Sequence, residues 1–453
     1  MKVPWCPTEW KRVVVYGLGA SGMAAARLLR SREVEVLGID MRTVEQLDLG
    51  DLVSDPGVEL ILGNEPQDLP ARIDGVVLSP GVPPGRPLVT AARQADLPVV
   101  AEVELAYLFL DGEVIGITGS NGKSTTTLMT GELLKATGLA VEICGNIGVP
   151  LSSRVEGAPG RTFVTELSSF QLDSVDTFHP RVAALLNFSI DHLDWHGDEE
   201  SYLAAKKNLF RNQQSSDVAV LNADDETVSS VAVEARRRFF SSQREVEDGC
   251  YLEGDIVVEV DPHRGRQRLF KRSDVPLPGP HNLENAMAAT LLSLAAGADP
   301  AVIPDTLARF RGLPHRLQRI NKLHGVTWYD DSKATNFAAT ARSLEGFADD
   351  SVHLFLGGRN KGGDAAELAE VVKRKVRRIY LIGEAAEEIE AALGHLVEVV
   401  AAGTLQSAVA VAREAAEQGE TVLLSPACAS FDQYRNFAER GDHFQDLVRS
   451  LNG

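Results

Sequence analysis

Short runs of consecutive apolar residues recur along the chain, each followed by a polar or glycine-rich turn and then by a longer segment with helical spacing. Such runs are typical of buried parallel strands that alternate with helices. The first block opens with a run at 12–16, a glycine turn at 17–22 and a helix that extends to about residue 29. Further strands are expected at 34–39 and 75–78. This order predicts a Rossmann-like βαβ domain.

Two more blocks repeat the alternation. The second begins near residue 105 and closes with a predicted helix at 285–296; its predicted strands are 114–117, 163–165, 182–186 and 218–222. The polar stretch 241–274 within it predicts short exposed strands and turns. A Gly-Pro boundary at 311–314 precedes the third block. The predicted strands of that block are 326–329, 352–356, 378–382 and 421–424.

One turn of the second block carries a specific chemistry. The segment TGSNGKST at 118–125 separates a predicted strand from a helix predicted at 126–137. Glycines in such a turn let backbone N–H groups approach phosphates, and the helix N-terminus favours an anion. Lys123 can reach the terminal phosphates, and the Ser124 hydroxyl can ligate Mg²⁺. The glycine spacing departs from the usual G-x-x-x-x-G-K-[ST] pattern, but we predict a nucleoside triphosphate site; the alternative is a structural glycine turn.

The three blocks together predict an α/β protein of three domains. Residues 1–104 would form a Rossmann-like N-terminal domain. Residues 105–311 would form a P-loop ATPase-like central domain with a parallel sheet. Residues 312–453 would form a Rossmann-like C-terminal domain.

Composition narrows the possible functions and locations. A net charge of −19 over 453 residues argues against a general nucleic-acid binder, which needs clustered Lys and Arg. The four cysteines form no CxxC pair, a pattern that suits a reducing compartment and predicts no disulfide framework. Neither an N-terminal signal nor a long apolar run is evident, so we expect a cytoplasmic protein without a membrane partner.

Polar residues at the ends of predicted strands are the next candidates. Glu166 ends one strand of the second block, and Asp191 and His192 follow another. A carboxylate and an imidazole near a P-loop hydroxyl would form a Mg²⁺ shell; purely structural roles are the alternative. Lys206 and Lys207, taken alone, predict a solvated helix face.

Glycine-rich turns in the other two blocks allow more than one interpretation. The GLGASG turn at 17–22, followed by Asp40, matches a dinucleotide-binding pattern and by itself favours a dehydrogenase. The second nucleotide motif favours instead a ligase that acts on a nucleotide-linked substrate. In the third block, the loops at 330–336, 357–364 and 425–432 follow strands, where they would bind anions or form ordinary polar turns.

These motifs together resemble the Mur ligase family of bacterial cell-wall synthesis, over almost the whole chain and in the family's order. The family's phosphate loop reads TGxxGK[ST], which accounts for the glycine spacing. The matching segments are TGSNGKST at 118–125, GNIG at 145–148, ELSSFQL at 166–172, DHLD at 191–194, GPHN at 279–282 with Asn285, GLPHR at 312–316, DSKATN at 331–336 and SPACASFDQ at 425–433.

The resemblance implies a role for each matching residue. The catalytic residues would be Lys123, His192 and Lys206. ATP would be contacted by Gly119, Ser120, Asn121, Gly122, Lys123, Ser124, Thr125, Asn285, Arg316 and Asp331. Two Mg²⁺ ions, or Mn²⁺, would be bound by Ser124, Glu166, His192 and a carbamylated Lys206. The uridine-nucleotide site would contain Ser21, Asp40, Arg42, Ser79, Gly81 and Asn146. D-Glutamate would be held by Thr335, Lys361, Ser430, Phe431 and Phe437.

The resemblance also implies a reaction. We expect a monomeric ATP-dependent carbon–nitrogen ligase that adds D-glutamate to UDP-N-acetylmuramoyl-L-alanine through an acyl phosphate, in peptidoglycan precursor synthesis and hence in cell shape and division. The alternatives are a family member that adds a different amino acid, a P-loop kinase that phosphorylates a small molecule and stops, and a nucleotide-binding switch without enzymatic activity. A kinase would leave the first and third blocks without a role.

Overall fold

The structure is a computed structural model, and it describes residues 9–66, 68–157, 159–360 and 362–451, with the backbone alone at Asp194. The chain divides into two compact units, which are described separately. One contains the described residues through Val275 together with Leu283–Ala308, and the other contains Pro276–Asn282 and the residues from Arg309 onward.

The first sheet of the first unit is parallel and has the strand order β3-β2-β1-β4-β5. Its strands are β1 (Arg12–Tyr16), β2 (Glu35–Asp40), β3 (Val58–Leu62), β4 (Gly75–Leu78) and β5 (Val99–Ala101). The apolar runs of β1, β2 and β4 are almost entirely buried, as a sheet covered on both faces requires. Strands β3 and β5 have weaker apolar runs and were missing from the sequence prediction.

The second sheet has the order β14-β13-β12-β11-β10-β9-β6-β8-β7. Its strands are β6 (Gly112–Thr118), β7 (Val141–Gly145), β8 (Arg161–Glu166), β9 (Val182–Leu185), β10 (Val218–Asn222), β11 (Arg236–Ser241), β12 (Gly249–Glu253), β13 (Ile256–Asp261) and β14 (Gly265–Lys271). The part from β7 to β12 is parallel, and β12 to β14 add an antiparallel extension.

That extension confirms the short strands predicted at 241–274 and corrects their predicted exposure for β12 and β13, whereas most of β14 is exposed. Strand β13 is largely buried, and its Glu259 forms an ion pair of 2.5 Å with Arg238 of β11, both side chains being about 5% exposed or less. Each charge is costly to remove from water, and the hydrogen-bonded contact with the opposite charge offsets part of that cost. The charged residues of this stretch are therefore compatible with strands that belong to the sheet, one of them largely buried.

The sheet of the second unit has the order β15-β16-β20-β17-β18-β19, parallel except for the β15–β16 pair. Its strands are β15 (Gln318–Leu323), β16 (Val326–Asp330), β17 (Val352–Gly357), β18 (Val376–Ile382), β19 (Glu398–Gly403) and β20 (Thr421–Ala427). Buried clusters of aliphatic and aromatic side chains lie on both faces of this sheet.

Helices connect most of the parallel strands. They are α1 (Ala20–Ser31), α2 (Pro87–Gln94), α3 (Glu102–Phe109), α4 (Lys123–Ala136), α5 (Ser169–Leu172), α6 (Leu193–His196), α7 (Glu199–Lys207), α8 (Glu226–Ser229), α9 (Pro280–Ala295), α10 (Ile303–Arg309), α11 (Phe337–Leu344), α12 (Ala369–Lys375), α13 (Ala386–Leu393), α14 (Leu405–Ala415) and α15 (Phe437–Ser450). None of the helices in the described part of the chain has the length and apolar character to cross a membrane.

Helix α3 joins the first two sheets through a pair of buried glutamates. Glu104 accepts hydrogen bonds from the backbone amides of residues 176–178 at 2.7–3.0 Å and from the Thr177 hydroxyl. Glu102 accepts one from the Ser152 amide at 2.6 Å, and burial raises its pKa to about 7. These bonds hold α3 against the loops of the second sheet. The predicted domain boundaries at 104/105 and 311/312 stay predictions.

Candidate functional site

The phosphate loop forms a tight turn between β6 and α4. Gly122 has φ of 81° at the start of α4, and a Cβ atom there would lie 2.2 Å from Asn285 Oδ1. Only glycine fits such a left-handed position beside another side chain. Asn285 Oδ1 also lies 3.3 Å from the Thr126 hydroxyl, which donates to it. Helix α4 begins at Lys123 rather than at 126, so the loop's Lys and Ser already belong to its first turn.

Two lysine amines converge on one carbonyl of this loop. Lys123 Nζ donates to Gly119 O at 2.9 Å and to Ser120 O at 3.0 Å, and Lys206 Nζ donates to Gly119 O at 2.9 Å. Lys206 is 1% exposed, whereas its neighbour Lys207 is exposed. The prediction of a solvated face was therefore wrong for Lys206, because the phosphate loop covers that side of α7.

The environment of Lys206 favours a neutral amine. Burial first, and the positive charge of Lys123 second, lower the pKa of Lys206 to about 7. The amine also lies 4.5 Å from the centre of the Tyr202 ring, and the Tyr202 hydroxyl is 3.3 Å from Ser120 Oγ. The Tyr202 ring thus covers part of the Lys206 amine.

The carboxylate of Glu166, at the end of β8, is suited to a cation. Its Oε1 accepts a hydrogen bond from Asn146 Nδ2 at 2.9 Å, while its Oε2 is buried and has no hydrogen-bond partner among the described groups. A buried carboxylate oxygen without a donor is costly unless a ligand supplies positive charge. Ser124, the predicted hydroxyl ligand, is also buried, in the first turn of α4.

The His192 ring packs against the aromatic rings of neighbouring residues. Its ring centre is 4.8 Å from that of Phe170 and 6.0 Å from that of Tyr202, although its side chain is exposed. Its φ of 53° is unusual for a non-glycine residue and marks local strain. The structure thus places both His192 and Lys206 beside the Tyr202 ring. Groups of three or more His, Cys, Asp or Glu that could hold a metal are absent from the described residues.

The first-domain candidates surround the carboxyl ends of β1, β2 and β4. Asp40 receives hydrogen bonds from the Leu18 amide at 2.6 Å and from the Arg42 guanidinium at 2.8 and 3.0 Å. Ser21 is half-buried at the start of α1, and Ser79 is buried after β4.

A small cavity connects this strand end with the second sheet. Among its lining residues are Ser79, Pro80, Phe170, Gln171 and Trp195. Gln171 Nε2 and Trp195 Nε1 are buried donors without a hydrogen-bond partner among the described residues. Sequence reasoning missed both as site residues, although Gln171 belongs to the ELSSFQL motif. Gly81, predicted for the same site, is exposed.

In the second unit, Asp331 is buried after β16. Burial raises its pKa to about 6, although hydrogen bonds of 2.7 Å from Ser343 and from Ser425 and one from the Leu317 amide lower it. The Asp331 carboxylate thus accepts its hydrogen bonds from groups of the same unit. Arg316 is exposed, and its contact with ATP stays a prediction.

The candidates for D-glutamate lie on the strand-end loops of the same unit and on α15. Ser430 is buried, Thr335 and Phe437 are half-buried, and the Phe431 side chain is 58% exposed. Lys361 lies outside the described residues. Sequence reasoning did not select Arg440 of α15, whose side chain contacts these loops and is 1% exposed.

Family models match all three parts of the chain. The Mur ligase MurD-like N-terminal domain matches residues 11–101, the Mur ligase middle domain matches 117–293, and the Mur ligase glutamate ligase domain matches 315–428. With the three sheets, these matches confirm the predicted α/β class with three domains.

Curated relatives match over nearly the full length. The UDP-N-acetylmuramoylalanine--D-glutamate ligase of Koribacter versatilis is 41% identical, covering 97% of this chain and 98% of the relative. The ligase of the same name from Geobacillus kaustophilus is 42% identical and covers 98% of each.

Solved structures show the same fold at low identity. The UDP-N-acetylmuramate-alanine ligase MurC of Thermotoga maritima has a TM-score of 0.57 at 19% identity, covering 98% of this chain and 100% of the other. A pseudomurein peptide ligase type C from Methanothermus fervidus has a TM-score of 0.56 at 18% identity, covering 97% and 100%.

Proposed function

This chain belongs to the Mur ligase family, as its motifs predicted, and we propose that it joins D-glutamate to UDP-N-acetylmuramoyl-L-alanine at the expense of ATP. The observation that carries this function is the match, at 41–42% identity and over nearly the whole length, to relatives named for that reaction. The geometry supports it, because a phosphate loop, a buried lysine and a carboxylate oxygen without a partner lie in one unit.

The reaction must activate a carboxylate, which resists attack because its charge repels nucleophiles and oxide is a poor leaving group. An oxygen of the L-alanine carboxylate attacks the γ-phosphorus of ATP, and ADP leaves. The neutral amine of D-glutamate then attacks the acyl carbon of the resulting acyl phosphate, and inorganic phosphate and a proton leave as the amide forms. Phosphoryl transfer of this kind depends on positioning and charge neutralisation rather than on a protein nucleophile. In the proposal Lys123 supplies positive charge beside the transferred phosphoryl group.

The metal ligands of the proposal are Ser124, Glu166, His192 and the carbamate form of Lys206. The unpartnered Oε2 of Glu166 fits a divalent cation, and hydroxyl and carboxylate oxygens are the ligands that Mg²⁺ prefers. When bound, Mg²⁺ supplies Lewis-acid neutralisation of phosphate charge. The proposal includes two ions, either Mg²⁺ or Mn²⁺.

The environment of the Lys206 amine supports the carbamate that the family resemblance implies. A carbamate forms when a neutral amine attacks CO₂ and then loses a proton, and an ordinary lysine is almost fully protonated at neutral pH. A pKa of about 7 makes a large fraction of Lys206 neutral under those conditions. The product carries a negative charge, which would offset the positive charge of Lys123 and add an oxygen ligand.

The substrates are assigned to the predicted residues in the same proposal. UDP-N-acetylmuramoyl-L-alanine would occupy the strand ends that carry Ser21, Asp40, Arg42, Ser79 and Gly81, with Asn146 beside it. The free N–H groups of Gln171 and Trp195 add two donors that suit carbonyl or sugar oxygens. ATP would use the phosphate loop with Asn285, Arg316 and Asp331. D-Glutamate would use Thr335, Lys361, Ser430, Phe431 and Phe437.

The setting follows from the reaction. Because it consumes ATP and builds a nucleotide-linked peptidoglycan precursor, we assign it to the cytoplasm. The expected monomeric state stays a prediction, which sedimentation velocity tests.

A phosphate-release assay tests the function. Purified protein is given ATP, Mg²⁺ and UDP-N-acetylmuramoyl-L-alanine with a panel of D- and L-amino acids. Phosphate release that requires D-glutamate supports the proposal. Preference for another amino acid would leave the family standing and refute the specific activity, while ADP release without any amino acid would favour the small-molecule kinase.

A further inference from the structure

Arg440 is a fully buried arginine whose guanidinium bonds to two different loops of the second unit. Its Nε donates to Ser332 Oγ at 2.9 Å, and its Nη2 donates to Ser332 O at 2.9 Å and to Cys428 O at 3.1 Å. Its Nη1 is buried and has no hydrogen-bond partner among the described groups. The side chain is 1% exposed, so bulk solvent does not reach this N–H group.

The loops that Arg440 joins are those predicted to hold the amino acid. Ser332 lies in the loop that carries Thr335, and Cys428 lies in the loop that carries Ser430 and Phe431. The Ser332 hydroxyl in turn donates to Phe437 O at 2.8 Å, which links the first turn of α15 to the same loop.

A third loop also approaches Arg440. A Cβ atom at Gly358 would lie 3.1 Å from Arg440 Nη1 and 2.3 Å from Ala429 O, so this glycine allows the loop at 357–360 to approach closely. The backbones of Arg359 and Ala429 exchange two hydrogen bonds of 2.8 and 3.0 Å. One guanidinium therefore lies where the three loops and the start of α15 meet.

The positive charge of Arg440 has no carboxylate partner among the described residues. Burial lowers the pKa of Arg440 to about 10. The negative charges of Asp432 and Asp330 raise this pKa, but neither residue forms an ion pair with Arg440. Asp330 accepts hydrogen bonds from His315, Ser332 N and Gln445 instead. A buried cation without a counter-ion is costly, and an anionic ligand bound by the loops above it would reduce that cost.

We propose that Arg440 is a positioning residue that sets the affinity and the acidic specificity of the amino-acid site. It holds the three loops in the arrangement that binds the amino acid, and its unpaired charge favours a substrate whose side chain is a carboxylate. This inference rests on the proposed function, since it takes D-glutamate as the amino acid.

Kinetics of three variants test the role. Arg440→Lys keeps the charge and loses the planar fork, Arg440→Met loses both, and Arg449→Met removes an exposed arginine of the same helix as a matched control. For Arg440→Lys we expect the KM for D-glutamate to rise about tenfold or more, since hydrogen bonds to charged groups are lost. The KM values for ATP and the uridine nucleotide should stay within about twofold. Arg449→Met should leave all three unchanged.

Arg440→Met adds a test of the charge. The ratio of kcat/KM for D-glutamate to that for D-glutamine should fall at least about tenfold below the wild-type ratio. Ser332→Ala, which removes one hydrogen bond of the guanidinium, should also raise the KM for D-glutamate. This variant tests the inference even if an Arg440 variant does not fold.

Two results would overturn the inference. One is an unchanged KM for D-glutamate in Arg440→Lys and Ser332→Ala, and the other is an equal change in all three KM values, as a merely structural role would give. A failure of the proposed function would be seen in a different measurement: the wild-type protein would then release phosphate without requiring D-glutamate.

Discussion

Replacing Lys206 by Met should stabilise the unmodified protein while it destroys the activity. In the absence of CO₂ the lysine is buried as an amine between Gly119 O, the Tyr202 ring and the positive charge of Lys123. Methionine has a similar length, no charge and no desolvation cost. Its introduction does not leave the Gly119 carbonyl without a donor, because Lys123 Nζ still bonds to it.

The size of the gain follows from the pKa. Unfolding returns the pKa of Lys206 from about 7 to its ordinary value of 10.5. Between pH 7 and pH 10.5 the unfolded chain therefore binds one more proton than the folded chain. The free energy of unfolding therefore rises with pH across this window, and the folded state carries the full penalty below pH 7. At 1.36 kcal/mol per pKa unit, the penalty is about 4 kcal/mol at pH 7 and vanishes near pH 10.5. Loss of one hydrogen bond subtracts about 1 kcal/mol, which leaves a gain of about 3 kcal/mol.

Urea unfolding without bicarbonate or metal measures this difference. Lys206→Met should be more stable than wild type at pH 7, and the difference should shrink toward pH 10. Lys207→Met, on the exposed face of α7, is the matched control and should show no gain at either pH. Ligase activity of Lys206→Met should fall about 10²-fold or more, because the carbamate ligand cannot form. A Lys206→Met protein that is less stable than wild type at pH 7, or whose gain does not depend on pH, would refute the reasoning.

Three further substitutions test other parts of the first unit. Lys123→Met should lower phosphate release about 10²-fold or more with the fold retained by circular dichroism, and an unchanged rate would remove the phosphate loop from the mechanism. Gly122→Ala should weaken ATP about tenfold in equilibrium dialysis, because the left-handed backbone and the 2.2 Å contact with Asn285 both oppose a Cβ. Glu104→Gln should lower the free energy of unfolding by about 3 kcal/mol in urea, because an amide cannot accept all the bonds from residues 176–178; a loss below about 1 kcal/mol would count against that role.

The local chemistry of the phosphate loop could be predicted because it depends on residues that are adjacent in sequence. Glycines, a lysine and a hydroxyl between an apolar run and a helix predict a phosphate site from local sequence alone, and the structure confirms the strand, the turn and the helix around them. Glu166 could also be selected, because strand ends of a parallel sheet share one edge. Its missing hydrogen-bond partner, which makes it suited to a cation, became visible only in the structure.

The errors concern residues whose environment comes from distant parts of the chain. Helical spacing cannot tell which face of α7 the phosphate loop covers, so spacing alone places Lys206 in solvent, and only the family resemblance assigns it to the site. The stretch 241–274 is predicted to be exposed because it is rich in Arg, Glu and Asp, and local sequence does not show that Arg238 of β11 neutralises Glu259. Arg440 stands in an ordinary charged helix sequence, and its contacts with Ser332 and Cys428 cross long sequence separations.

The glycine turn of the first sheet matches a dinucleotide-binding pattern, but the contacts of Asp40 beside it differ from those expected of a dehydrogenase. An acid at the position of Asp40 would bond to a ribose in a dehydrogenase, but here its oxygens accept from Leu18 N and from the Arg42 backbone and guanidinium. Burial alone would raise the pKa of Asp40, and these hydrogen bonds outweigh it, so the pKa lies below its ordinary value. Asp40 therefore remains ionised and holds Arg42, whose side chain is 48% exposed, at the carboxyl edge of β2. Because Asp40 is already paired and Arg42 offers an exposed cation beside it, the arrangement suits the negatively charged diphosphate of the uridine nucleotide proposed for this edge better than direct recognition of a ribose by the acid.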